Sequence, residues 1–293
     1  HVNIPIREPL LEKKEDKAPT PIVPPQSPQI TIAQSPLSLG AFFSTEYGVV
    51  VIGRLSAREQ KDVPEIIAWA SRLGWPVFCD ALSGARLMPG VIRHGDWILQ
   101  QNDVPSPHRV IHFGGALVSK RIGKWLSACR AGDYIQVRES PMPLDPWSQN
   151  PNLIRMGILE FCRSFPHLAP SSQDWSLAWK SIDTRCAVVL QEQLGASDRL
   201  SEPEIARLTA RVAFSLNQTL FLANSMPIRD FDSSAESLGD KLIPIFGNRG
   251  ASGIDGNIAT IAGVAMASNR PVLALIGDLA ALHDLNSIPL LLG

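Results

Sequence analysis

Asn224, Ser225, Arg229, Arg249 and Asp278 each follow closely on an apolar run, in "LFLANSMPIRD", "IFGNRGASGIDG" and "VLALIGDLAALHDLN". In an open α/β sheet, ligands bind beyond the carboxyl ends of the strands, so polar residues placed there are the ones that meet a ligand. Guanidinium groups such as those of Arg229 and Arg249 suit carboxylates, which they grip through paired hydrogen bonds. Gly250, Gly253 and Gly256 let backbone come close to a bound group, and the helical "NIATIAGVAMAS" behind them aims amide hydrogens at an anion. By itself this loop is a weak phosphate signal, with neither a Walker lysine nor the Gly-x-Gly-x-x-Gly spacing. Gly277 leaves room for a diphosphate, and Asp278 offers a hard oxygen ligand to a divalent cation unless it serves only as a helix cap. The combination predicts metal-bridged diphosphate binding.

Several motifs resemble one family. "GDLAALHDLNSIPLL" looks like the Gly-Asp half of the thiamine-diphosphate motif, and "NSMPIRD" with "NRGASGIDG" is similar to the MenD branch of those enzymes. "HVNIPIREPL" resembles the close of that family's pyrimidine-binding domain, and Ser119-Lys120-Arg121 with Trp125 matches its central domain. The resemblance implies a 2-succinyl-5-enolpyruvyl-6-hydroxy-3-cyclohexene-1-carboxylate synthase of menaquinone or phylloquinone biosynthesis. Such an enzyme decarboxylates 2-oxoglutarate on thiamine diphosphate and adds the succinyl unit to isochorismate. Carried onto this sequence, Asp278 would ligate Mg²⁺, with Mn²⁺ as its substitute, and Gly277 and Leu279 would offer backbone to the diphosphate. Ile254 would bend the cofactor, while Asn224 and Ser225 would line the cofactor and the intermediate. Arg229 and Arg249 would hold the succinyl carboxylate, and Lys120 and Arg121 would face isochorismate. A homo-oligomer, dimer or tetramer, is the expected full-length state.

Three departures are visible. The second metal ligand of the motif, an asparagine about 25 to 30 residues past the aspartate, is expected beyond Gly293. The glutamate of the pyrimidine-binding domain is not in this sequence, and Ala280 stands where a serine is expected. The sequence is therefore read as a piece of a longer chain, inactive alone.

The elements that must position these residues alternate between strand and helix. "GVVVIG", "WPVFCD", "RVIHFGG" and "YIQVR" are strand-like runs, "IIAWASRLG" is helical behind Asp62-Val-Pro-Glu65, read as a capping box, and "SKRIGKWLSA" is helical too. The fold class predicted is α/β, a doubly wound parallel-sheet central domain followed by the start of a second α/β domain that binds the cofactor diphosphate. Residues 1–40, with eight of the 24 prolines, read as a linker, 41–198 as the central domain and 199–293 as the opening of the second. Segment 145–175, rich in Pro, Ser and Asn, is expected to cross the surface, and "DWSLAWKSIDTRCAVVLQEQLG" to be helical. Ser201-Glu-Pro-Glu204 reads as a second capping box, opening a helix with Ile205, Leu208, Val212 and Leu216 along one face. The chain ends in an apolar stretch that reads as the middle of a helix.

Plainer readings stand beside these. Arg229 and Arg249 suit surface ion pairs, Lys120 and Arg121 a solvated pair at a helix start, and Asn224 and Ser225 a turn cap. His283-Asp284 reads as a helix-face pair, Ile254 suits a core, and Trp69, Trp125 and Trp175 are read as packing.

With 293 residues, 45% of them hydrophobic, the chain can bury a sizeable core. A formal charge of −1 gives no general pull on nucleic acid or acidic membranes, so the partners expected are small molecules. The scattered cysteines at 79, 129, 162 and 186 argue against a thiolate zinc site and fit a reducing compartment. No apolar run reaches the roughly 18 residues of a membrane span. A bacterial source implies the cytoplasm, a plant or algal one a plastid or other organelle. Alternatives are another thiamine-diphosphate 2-keto acid decarboxylase or carboligase, and a non-catalytic nucleotide-binding module that uses "RVIHFGGALVSK" as a phosphate cradle.

Overall fold

The computed structural model describes residues 40–291 except 41, 102, 131–132, 142–143, 145–150, 167–171, 197–198 and 269. The proline-rich stretch 1–39 and the expected boundary at 198 lie outside the described residues. Strands β1 (Gly48–Ile52), β2 (Val77–Cys79), β3 (Arg109–Phe113), β4 (Tyr134–Val137) and β5 (Asn152–Ile154) pair in parallel, in the order β2-β1-β3-β4-β5. Every residue of "GVVVI" is buried, as expected for a parallel strand covered on both faces. Val50, Ile52 and Phe113 pack with Trp69 and Phe161 on one face, and Val49 and Val51 with Phe78, Trp125 and Trp179 on the other. Helices α1 (Ala57–Gln60), α2 (Val63–Ser71), α3 (Gly95–Ile98), α4 (Lys120–Leu126), α5 (Ile158–Ser164) and α6 (Asp174–Gly195) accompany this sheet, so the doubly wound expectation holds. The tryptophans are packing, and Trp175 also donates its Nε1–H to the Gly48 carbonyl at 3.1 Å.

A second sheet, ordered β7-β6-β8, joins β6 (Thr219–Leu222), β7 (Ile245–Phe246) and β8 (Val272–Leu275), again in parallel. Its helices are α7 (Glu202–Ser215), α8 (Met226–Ser234), α9 (Asn257–Ser268) and α10 (Asp278–His283). The Ser201–Glu204 capping box opens α7 as expected.

Four sequence expectations need correction. Asp62 makes no capping bond at the start of α2, and the reciprocal box forms one turn earlier, between Ser56 and Glu59. Segment 145–175 holds β5 and α5; a three-residue strand is too short to show a period. In α7, Ile205, Leu208 and Leu216 are 38%, 48% and 63% exposed, and the buried face is Ala206, Arg207, Ala210 and Ala213. Residues 285–291 form a 3-10 stretch with Pro289 inside it.

The two sheets meet through polar side chains as well as apolar ones. The buried amide of Gln60 donates to the Ile245 carbonyl at 2.8 Å and accepts the Ile245 amide hydrogen at 3.0 Å, continuing β7 as a neighbouring strand would. Ala81, Leu82 and Leu87, just past β2, join the apolar cluster formed by α7, β6 and α8. Trp97 adds a bond from Nε1 to the Ser233 carbonyl at 3.0 Å. This contact brings the loop ahead of α4 opposite the strand ends of the second sheet.

Candidate active site

A cavity of about 540 Å³ lies at that seam, and its lining includes Lys120, Arg121, Arg229 and Arg249. Lys120 and Arg121 come from the start of α4. Ser119 caps that helix by accepting the Ile122 amide hydrogen at 3.1 Å, and its own hydroxyl donates to Asp96. Asp96 also pairs with the Arg121 guanidinium at 2.5 Å, so this side of the cavity carries a carboxylate with its cations. Arg229 sits on α8, exposed, between the buried Ile228 and Asp230.

Arg249 follows β7. Its Nη1 donates to Asn224 Oδ1 and to Ser252 Oγ, both at 3.1 Å. Both partners are neutral, so the positive charge stays uncompensated by direct contact. Asn224 in turn donates to the Gly253 carbonyl at 3.2 Å, tying the end of β6 to the glycine loop. Ser225 precedes α8 at its N-terminal position without a side-chain capping bond, and its φ 72° and ψ −131° are a strained backbone for a residue with a side chain. Ile254, on the same glycine loop, is 44% exposed rather than part of a core.

Gly277, Asp278 and Leu279 lie elsewhere, beyond β8 at the opposite edge of the sheet from β7, with Asn224 at the end of the strand between. Asp278 is exposed, and its Oδ1 accepts the Leu279 amide hydrogen at 2.8 Å. That amide is therefore engaged by its neighbour's carboxylate. A Cβ built on Gly277 would meet nothing within 4 Å, so the space beside it admits a bulky anion. Among the described residues no group of three or more His, Cys, Asp or Glu side chains could hold a metal ion. One carboxylate beside open space fits one ligand of a hard cation, and the diphosphate group fits there in part. His283 pairs with Asp255 at 3.4 Å, while Asp284 accepts the Ile258 and Ala259 amide hydrogens. Asp284 thus anchors the start of α9, a structural role that the helix-face reading missed.

Asp96, Asp230 and Asp232 also line the cation cavity and were not anticipated. Burial raises the Asp230 carboxyl to about 6, with Glu202 adding to the shift. Burial likewise raises Asp232 to about 7, against the pull of Arg86 and with the help of Asp80. The only hint in sequence was two aspartates directly after Arg229 in "IRDFD". A smaller cavity of about 310 Å³ shares Val118, Ser119, Lys120 and Arg249 with this one and includes His112, Tyr134 and Gln136. Burial lowers His112 to about 4, so its ring is neutral, and it bonds Tyr134 Oη and the Gly115 carbonyl, each at 2.8 Å.

Residues 23–222 match the family described as "Middle domain of thiamine pyrophosphate". The chain is 34% identical to a protein of Rubrobacter xylanophilus named 2-succinyl-5-enolpyruvyl-6-hydroxy-3-cyclohexene-1-carboxylate synthase, over 100% of this chain and 54% of that protein. A protein of the same name from Actinobacillus pleuropneumoniae serotype 3 is also 34% identical, over 99% of this chain and 52% of the relative. One from Shewanella frigidimarina matches at 34% over 83% of the chain and 42% of the relative. The chain thus spans about half the length of the first of these relatives. With a parallel α/β sheet, a cation-lined seam and this match over most of its length, the chain belongs to the thiamine pyrophosphate enzyme family.

Proposed function

We propose that the full-length protein is a thiamine-diphosphate-dependent transferase of the MenD type, which decarboxylates 2-oxoglutarate and joins the succinyl unit to isochorismate. The observation that carries this reading is the gathering of Lys120, Arg121, Arg229 and Arg249 into one cavity from segments far apart in sequence. Both substrates are dianions, and a carboligase acting on a small apolar keto acid has no use for these cations. The names of the relatives support the same choice.

In this reading Arg249 and Arg229 bind the carboxylate distal to the reacting carbon. Asn224 holds Arg249 in place through its 3.1 Å bond, so the guanidinium is oriented before the acid arrives. Lys120 and Arg121 receive the carboxylates of the second substrate, with Asp96 limiting how far Arg121 can swing. Asp278 is one ligand of a Mg²⁺ ion, Gly277 and Leu279 flank the diphosphate, and Ile254 and Ser225 contact the cofactor. Thiamine diphosphate, when bound, supplies the electron sink for loss of CO₂. The domain division follows the same scheme: linker to residue 40, central domain to 198, and the beginning of the diphosphate domain after it. A homo-oligomer completes the proposal, in the cytoplasm of a bacterium or in a plastid or other organelle of a plant or alga; among the described residues no helix is long and apolar enough to cross a membrane.

The test is the full-length protein with thiamine diphosphate, Mg²⁺, labelled 2-oxoglutarate and isochorismate. Release of labelled CO₂ with transfer of the remaining label to isochorismate is the expected result. No CO₂ from 2-oxoglutarate rejects the assignment.

A further inference from the structure

The seam behind the cation cavity is held by carboxylates that no substrate role requires. Asp80 and Asp232 are 2% and 4% exposed. Asp232, on α8, accepts the Ala81 amide hydrogen with Oδ1 at 2.7 Å. Asp80 accepts the Leu82 amide hydrogen at 2.8 Å with one oxygen and that of Val118 at 2.6 Å with the other. Two carboxyls thereby bind backbone from the turn after β2 and from the loop leading to Lys120. One of them belongs to the helix that carries Arg229. The buried guanidinium of Arg86 lies near both, but its hydrogen bonds go to the Cys79 and Arg93 carbonyls and its Nε has no partner.

We propose that Asp232 is a positioning residue that clasps the α8 side of the cation cavity to the central sheet and so sets the spacing between Arg229 and the Lys120 side. Asp80 completes the clasp by fixing the Val118 end. This rests on the reading that the cavity holds a dicarboxylate. Asp232 differs from an ordinary structural carboxylate because it also lines the cavity, so its charge adds to the field there while its hydrogen bond holds the seam. The groups acting on it are Cys79 on β2, Asp80 and Arg86 beyond β2, and Asp96 on α3; Lys120, Arg121, Arg229, Asp230 and Arg249 line the same cavity. Burial raises this carboxyl and that of Asp80 beside it, which gives the sign: protonated, the group is neutral, and once it ionises as the pH rises its negative charge opposes the bound dianion.

The experiment measures binding of glutarate, which has both carboxylates of 2-oxoglutarate and no keto group, to the full-length protein by calorimetry from pH 6 to 8. In the unaltered protein the Kd should rise with pH. Asp232→Asn keeps an oxygen for the Ala81 amide and removes the charge, so its Kd should rise with pH distinctly less than in the unaltered protein, leaving the smaller dependence that Asp230, raised to about 6, supplies. Asp232→Ala loses the clasp, and its Kd should be roughly tenfold higher, with the same reduced pH dependence and with thiamine diphosphate binding unchanged. A merely structural role would lower the melting temperature in both variants and leave the pH dependence as it was. The proposal is overturned if Asp232→Asn retains that pH dependence undiminished, and this variant decides the matter if Asp232→Ala does not fold. Failure of the unaltered protein to bind glutarate rejects the dicarboxylate cavity itself, a result distinct from normal binding that ignores both substitutions.

Discussion

Arg121 and Arg249 face one cavity, yet the protein holds them differently. Arg121 is half exposed and spends its charge on Asp96 at 2.5 Å, whereas Arg249 is held only by the neutral groups of Asn224 and Ser252. A guanidinium already paired with a carboxylate gains little from a second one, while a guanidinium held by an amide and a hydroxyl keeps its full attraction for an anion. The first arrangement suits a cation that guides and limits, the second a cation that binds. On the central-sheet side Arg121 is thus offset by Asp96 while Lys120 stands with them, and on the β7 side Arg249 is hydrogen-bonded to neutral groups.

Removing the stronger hold should cost most. Arg249→Ala should raise the KM for 2-oxoglutarate about 100-fold, since a charge-assisted contact is worth about 1.5–3 kcal/mol, with thiamine diphosphate affinity little changed. Steady-state kinetics together with a cofactor titration check this, and equal loss of both affinities would erase the contrast. Arg121→Ala should weaken use of isochorismate only about fivefold, because Asp96 has already offset its charge. Asp96→Asn should have the opposite sign, strengthening anion binding by freeing Arg121. Equal losses from Arg121→Ala and Arg249→Ala would show that the two sides are equivalent after all.

Smaller effects concern the frame that keeps the two sides facing. Gln60→Ala leaves the Ile245 amide and carbonyl without their buried partner, so the unfolding free energy should fall by about 1–3 kcal/mol in a denaturant titration. Activity per folded molecule should persist if the seam re-forms around the loss. Ser225→Gly relieves the positive φ and should recover about 0.5–1 kcal/mol of stability, measured as a higher melting temperature. Its turnover reports whether the hydroxyl touches the cofactor.

Much of the first sheet was legible because its first four strands are mainly apolar runs closed by Gly, Asp or Arg, as "GVVVIG" and "WPVFCD" are. The strand-end residues were legible for the same reason, and the cations Lys120, Arg121, Arg229 and Arg249 do share a cavity. What failed was information that spacing does not hold. Period alone gives the faces of α7 but not which one is covered, and close packing on alanines chose the face opposite to the large side chains. β5 is three residues long in a proline-rich stretch, so no alternation marks it. Asp96 and Asp232 were missed because their partners are 25 and 151 residues away, and only folding brings them together. The Ser56–Glu59 box was present in the letters and was passed over for the proline-marked start at Asp62.

The central claim is that the guanidinium of Arg249, hydrogen-bonded to neutral groups, acts with Arg229 in the same cavity to select a dicarboxylic keto acid. The most direct measurement is kcat/KM of the full-length protein for 2-oxoglutarate against pyruvate, in the unaltered protein and in Arg249→Ala. The account predicts a strong preference for 2-oxoglutarate that collapses in the variant, while pyruvate use hardly moves. Equal use of the two acids by the unaltered protein, or a preference that survives the loss of Arg249, would contradict it.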